Sequence, residues 1–220
     1  MKKILSLILI LTMGICLYGQ REDRDEDRYN NQEIYTLFGN NRYTSGGYGS
    51  FGAGYTLIDG KDAITTSGRG AWVIGHGLAV GIAGTGFVND FHYDTYLEQD
   101  VNLVGGYGGI LVEPIILGRI PVHLSLPIIA GIGGIAYTRS NWSGNNYEYT
   151  DTWVEDSDTY LIIEPGIELE FNILRFFRIA AGISYRLTSE IRLLEYDPGV
   201  VPTDVLNGYN AGITFKFGKF

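Results

Sequence analysis

The chain has 220 residues and a formal net charge of −9, with 45% of residues hydrophobic and 31 glycines. The acidic balance argues against nucleic acid as a partner, because binding phosphate needs clustered Lys and Arg. Glycine stands at about twice average usage without a Gly-X-Y period, which excludes collagen, and a single cysteine, Cys16, excludes a disulfide framework.

The first element is an export signal, residues 1–19. Lys2 and Lys3 form a basic start, and Ile4 to Leu17 form an apolar stretch shorter than the roughly 20 residues that a spanning helix needs. Cleavage is expected near Gly19-Gln20, removing Cys16; Ile15 stands where a lipoprotein signal wants a small residue. Residues 20–43 follow as a polar, acidic tail. Its run Arg21-Glu-Asp-Arg-Asp-Glu-Asp-Arg28 has no apolar face and reads as a solvated linker.

From residue 44 to 220 the period is two, and the pattern predicts eight strands: 44–57, 62–74, 77–89, 101–117, 120–137, 159–171, 176–190 and 206–219. Asp59-Gly60 and Gly75-His76-Gly77 are tight turns. The later links alternate: 90–100 long, 117–119 short, 138–158 long and very polar, 172–174 short, and 191–205 long with two prolines. Short turns at one end and, apart from Asp59-Gly60, longer loops at the other are the asymmetry of outer-membrane barrels. An even strand count returns both termini to the short-turn side, which places the tail in the periplasm and 90–100, 138–158 and 191–205 outside.

Strand faces separate cleanly. Leu161, Ile163, Pro165, Ile167, Leu169 and Phe171 oppose Glu164, Gly166, Glu168 and Glu170. Phe177, Ile179, Ala181, Ile183, Tyr185 and Leu187 oppose Arg178, Ala180, Gly182, Ser184, Arg186 and Thr188. On the last strand Tyr209, Ala211, Ile213, Phe215 and Phe217 oppose Asn210, Gly212, Thr214, Lys216 and Gly218. One face suits acyl chains and the other is small and polar. The competing architecture is a soluble barrel or sandwich with the apolar face as core. Three features favour the membrane: the loop asymmetry, the glycines of the polar face, and a girdle of aromatics. In the girdle Trp72, Phe171, Phe177, Phe215 and Phe217 lie at one end, with Tyr185 and Tyr209 toward the other. The expected fold is an all-β, eight-stranded, antiparallel, up-and-down transmembrane β-barrel. Prolines at 114, 121, 127 and 165 cost ladder bonds, and a bulge is expected at each.

Ser45-Gly-Gly-Tyr-Gly, Ile58-Asp-Gly-Lys61, Gly68-Arg-Gly-Ala-Trp72 and Gly84-Thr-Gly-Phe-Val-Asn89 resemble an uncharacterised outer-membrane barrel family of Bacteroidetes-type organisms, over residues 36–220. The resemblance implies residence in the outer membrane of a Gram-negative cell envelope and carries no catalytic assignment. The terminal Phe220 resembles the signal read by the barrel-insertion machinery, but its parity is opposite to that of Phe217, Phe215 and Ile213.

Chemistry concentrates on the polar face. Glu164, Glu168 and Glu170 share a side with Arg178, Arg186 and Lys216, and Arg69 and Glu113 extend the set from the other wall. An eight-stranded lumen is filled by side chains, so these charges are expected to pair and close it; a charge-lined channel is the alternative. His123, Ser125 and Glu113 are the one set that resembles an acyl-transfer triad, which would make a lipid-modifying enzyme, although His123 lies at the periplasmic end, away from the outer leaflet. A satisfied interior histidine is the plainer reading. No His/Cys set has zinc spacing and no Gly-rich strand-turn-helix carries phosphate, so neither a cofactor nor a metal is called for.

In the 138–158 loop Trp142, Tyr147, Tyr149 and Trp153 stand among Glu148, Asp151, Glu155, Asp156 and Asp158. Such a surface suits a glycan or a protein partner. Its carboxylates could bridge to divalent ions of the lipopolysaccharide, although Asp156-Ser-Asp158 lacks the other positions of a Ca²⁺ loop. The remaining expected partner is outer-membrane lipid around a monomer.

Overall fold

The computed structural model describes residues 45–90, 92–94, 99–140, 152–193 and 201–220. The expected signal and tail (1–43) and most of the aromatic loop, including Trp142, Tyr147, Glu148, Tyr149 and Asp151, lie outside the described residues. Within them the fold is all β. The strands are β1 (Ser45–Ile58), β2 (Lys61–Ile74), β3 (Leu78–Asn89), β4 (His92–Asp94), β5 (Gln99–Ile116), β6 (Val122–Ser125), β7 (Ile128–Ser140), β8 (Thr152–Leu174), β9 (Phe177–Thr188) and β10 (Gly208–Lys219). Every pairing is antiparallel, and the ring closes through β1 against β10 and β3 against β5. β4 continues the line of β3 along β5, and β7 continues that of β6, so the strands make eight staves. The expected up-and-down barrel is present.

The tight turns follow from local chemistry. Asp59 and Gly60 both have positive φ, 56° and 67°, as a two-residue type I′ hairpin requires. Gly75 and His76 do the same at 61° and 59°, with the Gly77 amide donating to Ile74 at 3.2 Å. The proline expectation is corrected. Ladder shifts occur at Tyr137/Thr138 and Asn172/Leu174, not at any proline. Pro121 precedes β6 and Pro127 separates β6 from β7, yet the register of Ile116↔Leu124 and Val112↔Ile128 is continuous. Each proline omits one N–H while its φ stays compatible with an extended chain, so the stave survives without a bulge.

Loop boundaries are corrected as well. β7 runs to Ser140 and β8 starts at Thr152, so 138–140 and 152–158 of the expected loop belong to paired strands. Residues 90–100 likewise contain the β4–β5 ladder, and the expected turn at 172–174 falls at 175–176 instead. Polar composition suggested loops there because a strand above the hydrocarbon no longer needs an apolar face.

Polarity is inverted relative to a soluble domain. Every stave puts a large apolar side chain outside, at least half exposed: Phe51, Ile64, Ile82, Ile110, Ile132, Leu161, Ile183 and Ile213. Glu113, Glu164, Glu168, Glu170, Arg178, Arg186 and Lys216 are buried inside. Burying charges while exposing isoleucines would be unfavourable in water and is favourable in hydrocarbon, where a closed barrel also satisfies every strand edge. The soluble-core alternative is thereby excluded, and the chain is a transmembrane β-barrel.

Candidate functional site in the polar lumen

Lys216 stands at the centre of the lower lumen because inward positions alternate along β10 and neighbouring staves bring carboxylates to the same height. Its Nζ lies 2.7 Å from Glu170 and 2.9 Å from Glu168 and is bonded to Glu113, which also accepts from the Tyr48 hydroxyl. Arg69 donates to Glu168 at 2.6 Å, and Arg178 donates to Glu170 at 3.2 Å. Three carboxylates thus meet three cations. The oxygens of Glu113, Glu168 and Glu170 come within 4.8 Å of one another, a spacing that suits a metal ion, but the Lys216 ammonium fills that role.

The triad is not assembled. His123, Ser125 and Glu113 are all buried, but Glu113 is engaged by Lys216 and Tyr48. His123 Nε2 lies 3.0 Å from Glu170 and 3.1 Å from Arg178, while among the described residues Ser125 Oγ makes no hydrogen bond to His123 and has Glu170 beside it. A serine without a bonded base is not an activated nucleophile.

A second polar level lies nearer the long-loop end. Glu164 accepts from Tyr107 and from Ser184, each at 2.6 Å. Arg186, on the adjacent stave, donates to Thr56 at 2.6 Å, and its Nε and Nη1 have no partner among the described residues. Among the described residues the expected pairing of lumen charges forms direct ion pairs in the lower cluster, while Glu164 and Arg186 both act on Tyr107 and Tyr160 without a direct bond to each other. Two hydroxyls already occupy the Glu164 oxygens. A cavity of about 40 Å³ lies in the waist, lined by Gly54, Thr65, Ser67, Gly166, Ser184 and Asn210 among others. Its polar walls and size suit on the order of three waters.

Both mouths are occupied. At the short-turn end Phe220 turns inward, in keeping with its parity, and stacks on Tyr48 at 5.8 Å with the Arg178 guanidinium 3.8 Å from its ring centre. At the other end Ile191, Leu193, Val205 and Leu206 are buried against Ile58, Phe87, Leu103, Tyr137 and Tyr160. The segment is pinned where Arg192 N donates to Asp158 at 2.7 Å, Thr188 N to Asn207 at 2.8 Å and Ile191 N to Thr203 at 2.9 Å. The described ends of the expected outer loop 191–205 carry buried apolar side chains and form an apolar cap. Its signal was the alternation Ile191, Leu193 followed by Val205-Leu206, overlooked beside the prolines.

Outside, Phe51, Phe177, Phe215 and Phe217 form a ring cluster over β1, β10 and β9, with centroids 4.7–6.4 Å apart. Tyr185 and Tyr209 meet edge-on at 4.8 Å toward the other end, in the positions expected of the girdle.

No family model and no curated protein sequence matches the chain. Among solved structures it is similar to Ail, the attachment invasion locus protein of Yersinia pestis, at 13% identity, with 79% of this chain and 97% of that chain covered and a TM-score of 0.41. Neisserial surface protein A is similar at 11% identity over 80% and 97% of the two chains, with a TM-score of 0.49. The N-terminal β-barrel domain of Pseudomonas aeruginosa OprF is similar at 12% identity over 79% and 96%, with a TM-score of 0.37.

Proposed function

We propose that this chain is an integral outer-membrane β-barrel of a Gram-negative envelope, exported by residues 1–19, with a structural or surface-interaction role and a lumen that does not conduct. The supporting observation is the inverted polarity combined with a lower lumen in which Lys216, Arg69 and Arg178 are matched by Glu113, Glu168 and Glu170. Charges committed to one another have nothing left to select a passing ion, and about eight strands leave little path for water. The short-turn end faces the periplasm and the long loops face outward, among lipopolysaccharide, with residues 138–158 as the surface for a glycan or protein. Assembly uses the barrel-insertion machinery, and the barrel is a monomer. The Bacteroidetes-type motifs quoted above are consistent with this reading.

Purified full-length protein in a planar bilayer tests it. Silent membranes containing folded, heat-modifiable barrel are the expected outcome. Stable single-channel steps would replace the closed lumen with a selective channel. Protein that stays monodisperse in buffer without detergent would defeat the membrane reading altogether.

A further inference from the structure

The short-turn end of the barrel carries a surface that the lumen does not explain. Two turns and the end of one strand meet there side by side. The Asn172 amide donates to Pro121 at 2.8 Å and its side chain to Ile120 at 3.0 Å, while Gly218 N donates to Phe176 O at 2.9 Å. These bonds join the 117–121 turn, the 175–176 turn and the end of β10 into one arc. Along it stand three exposed cations, Arg119, Arg175 and Lys219. Among the described residues no acidic side chain is exposed at this end. Asp59, Asp62, Asp90, Asp158, Glu190 and Asp204 all lie at the opposite one.

The tips of the same turns are apolar. Leu117, Ile120, Ile173, Leu174 and Phe176 are all 44–67% exposed. Leu117 holds φ at 60°, a region that favours glycine, and still carries a leucine that points outward. Turns that projected into water would gain nothing from such residues. Cations interleaved with large apolar groups suit the boundary between acyl chains and headgroups, where long basic side chains reach anionic groups while the tips remain in hydrocarbon.

We propose that this arc is a binding surface for anionic phospholipid headgroups of the leaflet around the short-turn end. The inference rests on the membrane reading and adds a lipid preference to it. The chain's own acidic run, 21–28, is the other candidate occupant by charge, but it has no apolar residue to cover Leu117 or Phe176.

The test is electron spin resonance of spin-labelled phosphatidylglycerol and phosphatidylcholine with the full chain in phosphatidylcholine vesicles. The expected result is phosphatidylglycerol held on the order of fivefold more strongly, the effect of one basic side chain near a surface. Raising the salt should weaken this preference. It should disappear in R119Q/R175Q/K219Q and persist in K61Q/R192Q, whose cations lie at the far end. Salt dependence in the unaltered protein needs no variant to fold. Equal retention of the two lipids would overturn the proposal, as would a preference that survives the first variant or vanishes in the second. A preference appearing only after the acidic run is neutralised would place that run on the arc instead. Protein that never enters the vesicles would fail the membrane reading as well, and is told apart by its unfolded gel mobility.

Discussion

Two buried cations in one lumen differ in what they contribute. Lys216 is surrounded by Glu113, Glu168 and Glu170, so removing its charge leaves Glu113 without a counter-ion and Glu168 and Glu170 with only Arg69 and Arg178 beside them. Lys216→Met should therefore cost about 3–5 kcal/mol, the usual penalty for breaking a buried ion pair from one side. Arg186 is 0% exposed with one donor bonded to Thr56 and two nitrogens unmatched among the described residues. Fewer bonds hold it than hold Lys216, so Arg186→Met should cost less than Lys216→Met. Urea unfolding in lipid vesicles, followed by heat-modifiable gel mobility, compares the two directly. Equal destabilisation would mean that the waist waters or other groups compensate Arg186 as fully as the carboxylates do Lys216.

Among the elements, the cap over the long-loop mouth is held by packing rather than by sheet. Ile191 and Leu206 are 1% and 0% exposed, and the described hydrogen bonds of the segment are few. Ile191→Ala with Leu206→Ala should cost roughly 2–5 kcal/mol per site locally, because each leaves a cavity. The visible consequence should be faster tryptic cleavage at Arg192, whose side chain is already 64% exposed, with the barrel still folded by gel mobility. Unchanged cleavage would show that the mouth is closed by something other than these side chains. This cap was the element least legible in the sequence. Strands with one face in lipid must alternate strictly, so β8, β9 and β10 could be assigned side chain by side chain. The cap has no such period. Pro198 and Pro202 made it resemble ordinary loop, and only the tertiary structure brings Ile191 to Val205 and Leu206. The same limit explains the lumen. Parity placed Glu164, Glu168, Glu170, Arg178 and Lys216 inside, but pairing depends on height and rotamer. Parity therefore places Lys216 and Arg186 alike, and only the structure shows Lys216 among three carboxylates and Arg186 on Thr56. The β7–β8 ladder at 138–140 and 152–158 is hard to read from the sequence because the apolar alternation that identifies strands stops there.

Across the whole molecule, charge is distributed along the barrel axis. Exposed carboxylates gather at the long-loop end, exposed cations with apolar neighbours gather at the short-turn end, and the lower lumen between them balances its own charges. Orientation then decides which environment each end meets. Acidic, polar strands at the long-loop end extend beyond the apolar band, as Asp156 and Asp158 do on β8, and suit an aqueous surface crosslinked by divalent ions. The short turns have Leu117 and Phe176 at their tips and do not extend far from the bilayer. The long-loop end should therefore be the cell exterior. Single cysteines test this cleanly because Cys16, the native one, lies within the expected signal. Glu190→Cys sits on a side chain 76% exposed at the long-loop end, and Arg175→Cys sits in a short turn. A membrane-impermeant maleimide added to intact cells should label position 190 and leave 175 unlabelled until the envelope is opened. Labelling of 175 alone would invert the barrel, and with it both the periplasmic location of the cationic arc and the exposure of residues 138–158 to partners outside the cell. Labelling of both positions in intact cells would show that the envelope was leaky or that the protein does not span it, which fractionation of the same cells would decide.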